Sequence, residues 1–413
     1  MPDFSSFKVD SIDVFKKKLV TWANAFPVFT FLDSHHFAND PYHKYDFLIG
    51  IDALNFSLDI EELKEKSFVF GYFGYDYKEV QPPPSSPFVD FGSSFFFEPR
   101  YILYSQQGRI FINRNMMEAM QIMDAIAQMD IFPYQIPSLK FHPRTNQEEY
   151  QERVERVQED IRNGRYYELN YCVEFYNEAA DIHPIASFFE INKVAQAPMS
   201  ALVKREHRWA LSFSPERLLC LRGHVMASQP MKGTARRCLD DAQVDSEIKK
   251  DLENSTKERA ENMMIADLMR HDMTPFADLG SIQAREICKV YSFAFVHQMI
   301  STIEATLKNP LDKWKALKNT IPAGSMTGAP KREVMKAIAE MENFHRGMYA
   351  GNIGYVDMDG DFDFNVVIRT LFYDDKSKKI GLNVGGAITL LSDSEKEYHE
   401  CLLKAEGILK FFE

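Results

Sequence analysis

The 413-residue sequence predicts an α+β fold built on large antiparallel sheets. Strand-like and helix-like segments are mixed without a regular βαβ alternation, which argues against a Rossmann fold or a TIM barrel. Short turns join consecutive strand-like runs, as antiparallel hairpins and meanders do. Aromatic residues make up 13% of the chain and include 33 Phe, which is ample material for a large core.

The elements follow in order. Ser67 to Tyr77 is rich in Phe, Val and Tyr and reads as a strand. Gln81-Pro82-Pro83-Pro84-Ser85-Ser86-Pro87 reads as a loop, because proline fixes φ and removes the backbone donor. Tyr101–Ser105 and Arg109–Asn113 flank Gln106-Gln107-Gly108 and predict a hairpin. A proline-marked break near Pro133 to Pro143 divides a β-rich region, 1–140, packed on the core, from a second region, 141–413. In the second region Glu148–Asn163 reads as an acidic helix, and Tyr166–Tyr176 as an aromatic strand. Trp209–Phe213, Arg217–Leu221 and His224–Ala227 form a β-rich set. Thr256–Asp272 and Arg332–Glu342 read as helices. Gly351–Met358, Asp361–Tyr373 and Ile380–Leu390 predict a meander with turns at Asp359-Gly360 and Asp374–Lys379. A last amphipathic helix carries Tyr398, Cys401, Leu402, Ala405, Leu409 and Phe412 on one stripe.

Composition excludes several functions. Lys plus Arg is 48 against 60 Asp plus Glu, a formal net charge of −12. That balance argues against a general nucleic-acid binder and against a protein held on anionic lipid by charge. No apolar run is long enough for a membrane span, and Met1-Pro2-Asp3-Phe4 lacks the features of a signal peptide, so the expectation is a cytoplasmic protein. The five cysteines are widely spaced with no Cys-x-x-Cys, which indicates buried thiols rather than disulfides or zinc. Neither a Gly-x-Gly-x-x-Gly nor a Walker loop occurs, so neither a dinucleotide nor an ATP site is expected.

Two Glu-x-x-Glu pairs stand out, Glu258/Glu261 and Glu397/Glu400. Both fall on predicted helices, where residues three apart share a face. Four carboxylates at one cavity repel unless a cation joins them, and oxygen ligands suit Mg2+. The competing reading is structural: Ser255-x-x-Glu258 and Ser394-x-x-Glu397 both fit a capping box. Pro230-Met231-Lys232-Gly233-Thr234 places a lysine beside a glycine that allows close backbone approach. A lysine becomes a useful nucleophile when desolvated or set beside other cations, and Arg236 and Arg237 are near in sequence. The plain alternative is a solvated surface lysine. Ile321 to Lys331 is a small-residue loop ahead of a helix, suited to a carboxylate or a phosphate. Gly385-Gly386 marks either close backbone approach or a bulge.

As a set these motifs resemble the chorismate-utilising enzymes, which include the anthranilate, aminodeoxychorismate, isochorismate and salicylate synthases. The resemblance rests on Met231-Lys232-Gly233-Thr234, Ser325–Lys331, Tyr349–Tyr355 and Ile368-Arg369-Thr370, framed by Lys257–Asn262 and Glu397–Glu400. It covers about residues 145–410, and extends more loosely to Phe31-Leu32-Asp33-Ser34 and the strands around Phe68–Tyr77. It implies an anthranilate synthase component I-like fold, with two large, mainly antiparallel sheets packed face to face and helices outside. Residues 141–413 would then be the chorismate-binding catalytic region.

The resemblance also implies roles. Mg2+ would be held by Glu261 and Glu397, with Glu258 and Glu400 around the metal or its waters. Ser325, Tyr349, Arg369, Gly385 and Lys404 match positions that hold the substrate's carboxylates, and Gly233 and Thr234 extend the substrate site. His297 matches an active-site histidine, its alternative being a core histidine bonded to backbone. Glu216, in Ser214-Pro215-Glu216, matches the general acid for the departing hydroxyl, its alternative being a turn carboxylate. Lysine in the Pro-Met-Lys-Gly-Thr motif is typical of the aminodeoxychorismate branch, where anthranilate and isochorismate synthases carry alanine. The implied reaction is amination of chorismate at C4, through a covalent Lys232 intermediate, to 4-amino-4-deoxychorismate, the precursor of p-aminobenzoate and folate. Anthranilate or isochorismate formation on the same fold is the alternative; a catalytically silent family member would be expected to lack Glu216, Lys232 or the paired glutamates. No amidotransferase motif is visible, so ammonia is expected free or from a separate glutamine amidotransferase subunit, component II. Three positions depart from the family pattern. Glu168 stands where amine-adding members usually carry Gln and water-adding members Lys, Asp272 follows His271 in place of an Asn-Asp pair, and Ala387 replaces a common glycine.

Overall fold

Sheet pairing in this chain is organised by one long strand, Ser94–Gln106, which pairs with three others. The computed structural model describes residues 4–35, 40–63, 67–78, 86–293 and 296–413. Within them every strand pairing is antiparallel. From Ser94–Gln106 one run passes through Phe47–Ser57, Val28–Asp33, Met199–Arg205, Arg208–Ser214, Thr370–Asp374 and Lys379–Ile388 to Glu168–Asn177. A second passes through Val69–Phe73, Asn352–Val356, Phe362–Asn365, Arg217–Arg222 and Val225–Gln229 to Val296–Thr306. Met231–Arg236 and Gln283–Ser292 pair with the end of that second run. Apolar residues of both runs merge in one hydrophobic core. Strands from before residue 140 therefore form the shared end where the two runs meet, and strands from after it continue on either side.

Helices cover the outside. Gln147–Arg162 opens on a capping box in which Asn146 accepts from the Glu149 N–H and the Glu149 carboxylate accepts from the Asn146 N–H. It packs against Ser394–Leu409 and the strand Lys379–Ile388. Thr256–Met273 lies on Met231–Arg236 and Val296–Thr306. The stripe expected on the last helix is largely realised: Tyr398, Cys401, Ala405 and Phe412 are buried, with Leu402 and Leu409 packed partly buried on the core. Among the described residues, no helix is long and apolar enough to cross a membrane.

The hairpin at Gln107-Gly108, the strand Glu168–Asn177, the 208–229 strand set and the helices at 147–162, 256–273 and 331–341 agree with the sequence reading. Ser67–Tyr77 shortens to Val69–Phe73, followed by a 3-10 turn at Tyr75–Lys78. Residues 81–85 of the proline-rich loop lie outside the described residues. Asp361–Tyr373 is not one strand. It divides into Phe362–Asn365, in one run, and Thr370–Asp374, in the other, and Arg369 turns between them at φ 51°. Ser394 is not the cap of the last helix. Asp393 caps it by accepting from the Lys396 N–H, which leaves the Glu397 side chain free of a capping role.

Candidate active site

Lys232 lies at a register shift in the pairing of Met231–Arg236 with Val296–Thr306, between Met231 and Thr234. Such a bulge re-aims a side chain out of strand alternation. Its freed carbonyls are met by side chains: Gln298 Nε2 donates to the Gly233 carbonyl at 2.8 Å and Asn262 Nδ2 to that of Lys232 at 3.4 Å. Thr234 Oγ1 in turn donates to Gln298 Oε1 at 2.8 Å. Gly233 sits at φ +86°, and a Cβ there would lie 3.1 Å from a Glu258 carboxylate oxygen. The glycine is therefore required both by its conformation and by the helix above it.

The surroundings of Lys232 are acidic, not cationic. Its Nζ lies 3.8 Å from Glu168 Oε1 and 3.9 Å from Glu261 Oε2. Burial opposes its charge, but Glu168, Glu261, Glu400 and Glu258 outweigh burial and hold the ammonium above its ordinary range. The contribution expected from Arg237 is absent for a physical reason, since its guanidinium is committed to Asp245 at 2.8 Å. Glu168 is buried, and its Oε2 has no hydrogen-bond partner. Burial, with Glu261 and Glu397 nearby, raises its pKa, against the pull of Lys232.

The paired glutamates come from two helices. Ser255 caps the first by accepting from the Glu258 N–H, and Glu258 and Glu261 then project one turn apart. On the second, Ser392 Oγ donates to Glu397 Oε1 at 2.9 Å, and Lys404 Nζ contacts Glu400 at 2.8 Å and donates to the Gly385 carbonyl at 2.9 Å. A Cβ on Gly386 would lie 3.5 Å from Glu397 Oε2 and 4.0 Å from Lys404 Nζ. Burial and the neighbouring carboxylates raise Glu258 and Glu397; burial would raise Glu400 too, but Lys404 lowers it. Among the described residues, no three His, Cys, Asp or Glu side chains converge as a metal-ligand set. Instead, Lys257 Nζ stands between the two helices, 3.8 Å from Glu261 Oε1 and 3.9 Å from Glu397 Oε1. An ammonium at that position shows that the carboxylates accommodate a cation, and their oxygens are the hard donors Mg2+ takes.

Ser325 Oγ donates to Glu216 Oε1 at 2.8 Å. Glu216 is buried in the connection between two strands, and burial pushes its carboxyl up to about 7, against the pull of Ser325, Lys232 and Arg369. Burial lowers Arg369, with Glu216 acting the other way. The Tyr349 hydroxyl lies 3.7 Å from Cys172 Sγ, directly beneath Gly385, where a Cβ would meet that sulfur at 2.4 Å. Burial raises the Tyr349 hydroxyl well above its usual range.

The structure thus gathers Lys232, Glu168 and the paired glutamates with Lys404, and joins Glu216 to Ser325 and Arg369. His297 is buried with both ring nitrogens engaged elsewhere, Nε2 at 3.1 Å from the Asp245 carboxylate and Nδ1 at 3.0 Å from Ser292 Oγ. Ala387 pairs with Asn170, and the Asp272 carboxylate takes Lys331. Ser34 donates to the Asp46 carbonyl at 2.8 Å. Several supporting residues were not singled out from sequence. Arg346, fully buried, donates to the carbonyls of Met326 and Asn170 and to Glu342, tying the Ser325 loop to the Glu168 strand. Gln158 donates to the carbonyls of Leu390 and Ser392, holding the turn that carries Ser392. No spacing rule links such partners, because they lie up to hundreds of residues apart.

Residues 28–410 match the chorismate binding enzyme family. The chain is 36% identical over 277 residues to an aminodeoxychorismate synthase of Streptomyces pristinaespiralis, covering 67% of this chain and 38% of that protein. It is 38% identical over 266 residues to aminodeoxychorismate synthase component 1 of Escherichia coli K12, covering 64% of this chain and 58% of that one. Among solved structures, anthranilate synthase component I from Streptococcus pneumoniae superposes with a TM-score of 0.75 at 22% identity, covering 99% of this chain and 93% of that one.

Proposed function

The chain belongs to the chorismate-binding enzymes, and from that premise we propose that it aminates chorismate at C4 to give 4-amino-4-deoxychorismate, on the path to p-aminobenzoate and folate. One observation carries this reading: a largely enclosed lysine, Lys232, re-aimed by a bulge into the same site as Glu216, whose carboxyl is poised near neutrality. Alanine at that position would leave no nucleophile on the protein.

In this mechanism Lys232 passes a proton to Glu168, 3.8 Å from Nζ, and the neutral amine adds through Nζ to C2 of chorismate, becoming a secondary ammonium. Both ring double bonds shift, C1=C2 to C1=C6 and C5=C6 to C4=C5, and the C4 hydroxyl leaves as water with the proton that Glu216 donates. Ammonia then adds at C4, both double bonds shift back, and the C2–N bond of the secondary ammonium breaks to return Lys232 as the amine, which takes back its proton from Glu168. Ser325 holds the Glu216 proton on the correct side of the site, with a hydroxyl that can donate to Glu216 Oε1 or accept from it. Glu168, with one buried oxygen unpartnered, would hold the incoming ammonia or take its surplus proton. Arg369, Tyr349, Lys404 and the backbone at Gly385 would hold the substrate's carboxylates, beside Gly233 and Thr234. His297 would act through its partners Ser292 and Asp245.

Glu261 and Glu397 would hold Mg2+, with Glu258 and Glu400 around it or its waters. When bound, the ion supplies a positive partner for the ring carboxylate of chorismate. Ammonia would come from free ammonium or from a separate glutamine amidotransferase subunit, and the enzyme would work in the cytoplasm. The test is product analysis by liquid chromatography and mass spectrometry, with purified protein, chorismate, Mg2+ and ammonium, with and without an added lyase. The expected product is aminodeoxychorismate, converted by the lyase to p-aminobenzoate. Anthranilate or isochorismate in its place would overturn the proposal.

A further inference from the structure

Three ammoniums stand among the five carboxylates of Glu168 and the paired glutamates, and they are held very differently. Lys232 is deeply placed, with a side-chain exposure of 16%. Lys404 is anchored, bonded to the Gly385 carbonyl and paired with Glu400. Lys257, at 60% exposure, touches Glu261 and Glu397 only at 3.8 and 3.9 Å, beyond hydrogen-bond reach. We infer that Lys257 is an exchangeable internal counter-ion: its ammonium holds the carboxylates of the two helices together in the metal-free enzyme and leaves for solvent when a divalent cation binds. This rests on the magnesium site proposed above.

Glu261 and Glu397 belong to helices more than a hundred residues apart in sequence, and Glu258 and Glu400 add charge of the same sign beside them. Without a cation between them these carboxylates repel, and the helices lose part of their reason to approach. Lys257 supplies that cation from the first turn of the Thr256–Met273 helix. Its pull is felt at Glu258, Glu397 and Glu400, so it acts on the whole cluster and not on one partner. Formally, Glu168, Glu258, Glu261, Glu397 and Glu400 against Lys232, Lys257 and Lys404 leave a charge of −2, and release of Lys257 deepens it. A long lysine stem that is already exposed can swing into water without leaving a buried charge behind. Ser392 keeps Glu397 Oε1 oriented through the exchange, since its hydroxyl bonds that oxygen independently of Lys257.

The probe is Mn2+, counted as free ion by electron paramagnetic resonance, with and without chorismate, on the intact chain. Lys257→Met should bind Mn2+ about tenfold more tightly than the unmodified protein, since a competing charge a few ångström away is removed. Lys257→Arg should bind as the unmodified protein does. In thermal melts, metal-free Lys257→Met should unfold at lower temperature than the unmodified protein, and saturating Mn2+ should close that gap. A purely structural surface lysine would lower both melts equally and leave the affinity alone. Equal or weaker Mn2+ binding by Lys257→Met, in a parent that does bind the ion, overturns the counter-ion role and leaves the magnesium site standing. If the unmodified protein takes up no Mn2+ with or without chorismate, both fall.

Discussion

Glu216 shows how burial alone can raise a carboxyl toward neutrality. Its carboxyl is pushed up to about 7 because desolvation outweighs the neighbours that favour ionisation. If it is the acid that protonates the leaving hydroxyl, turnover should decline as pH rises through about 7, and Glu216→Gln should lose that limb with a fall in kcat of about a hundred- to a thousandfold. Stability gives an independent readout. A carboxyl whose folded pKa is raised from 4.5 to about 7 contributes stability that is full below the unfolded value and is lost as pH rises through the folded one. The melting temperature of Glu216→Gln should therefore fall less between pH 5 and 8 than that of the parent. Lys232→Ala should yield no aminodeoxychorismate by mass spectrometry while retaining the parent's melting behaviour within a few degrees. Undiminished product would remove the covalent role.

Elements matter here because the site is assembled where strands deviate from regularity. The bulge at Lys232, the left-handed turn at Arg369 and the short strand Gly328–Ala329 each break regular strand geometry beside residues of the site. Gly328 is the tightest of these: it adopts φ +142°, and a Cβ there would lie 2.1 Å from the Glu168 carbonyl oxygen. Gly328→Ala should cost about 3 kcal/mol in urea unfolding, because neither the conformation nor the backbone opposite can yield cheaply. It should also displace Glu168 and Ser325 together, so activity should fall beyond what the loss of folded protein explains.

At the scale of the whole molecule, the strands Val28–Asp33 and Val69–Phe73 each join a strand of the earlier region to one of the later region. Removing them would open two unpaired edges and strip one side of the shared core. Residues 141–413 expressed alone should therefore be insoluble or aggregated by size-exclusion chromatography. A monodisperse, folded fragment would show that these strands are dispensable.

Much of this protein was legible along the chain. Periodicity and turn residues located the hairpin at Gln107-Gly108, the helix at Thr256–Met273 and the final amphipathic helix, since those are local preferences of the backbone. The motifs around Lys232, Glu216 and the paired glutamates named side chains that the fold brings near one another. What the tertiary structure decided was the environment of each. Lys232 is surrounded by carboxylates and not by Arg236 and Arg237, His297 turns to Asp245 and Ser292, and the segment expected as one strand at Asp361–Tyr373 serves two separate runs. Arg346, Ser392 and Lys257 acquire their places only when distant elements meet. The physical reason is that hydrogen bonding, desolvation and charge depend on separation in space, and antiparallel pairing brings together residues whose separation along the chain carries no signal.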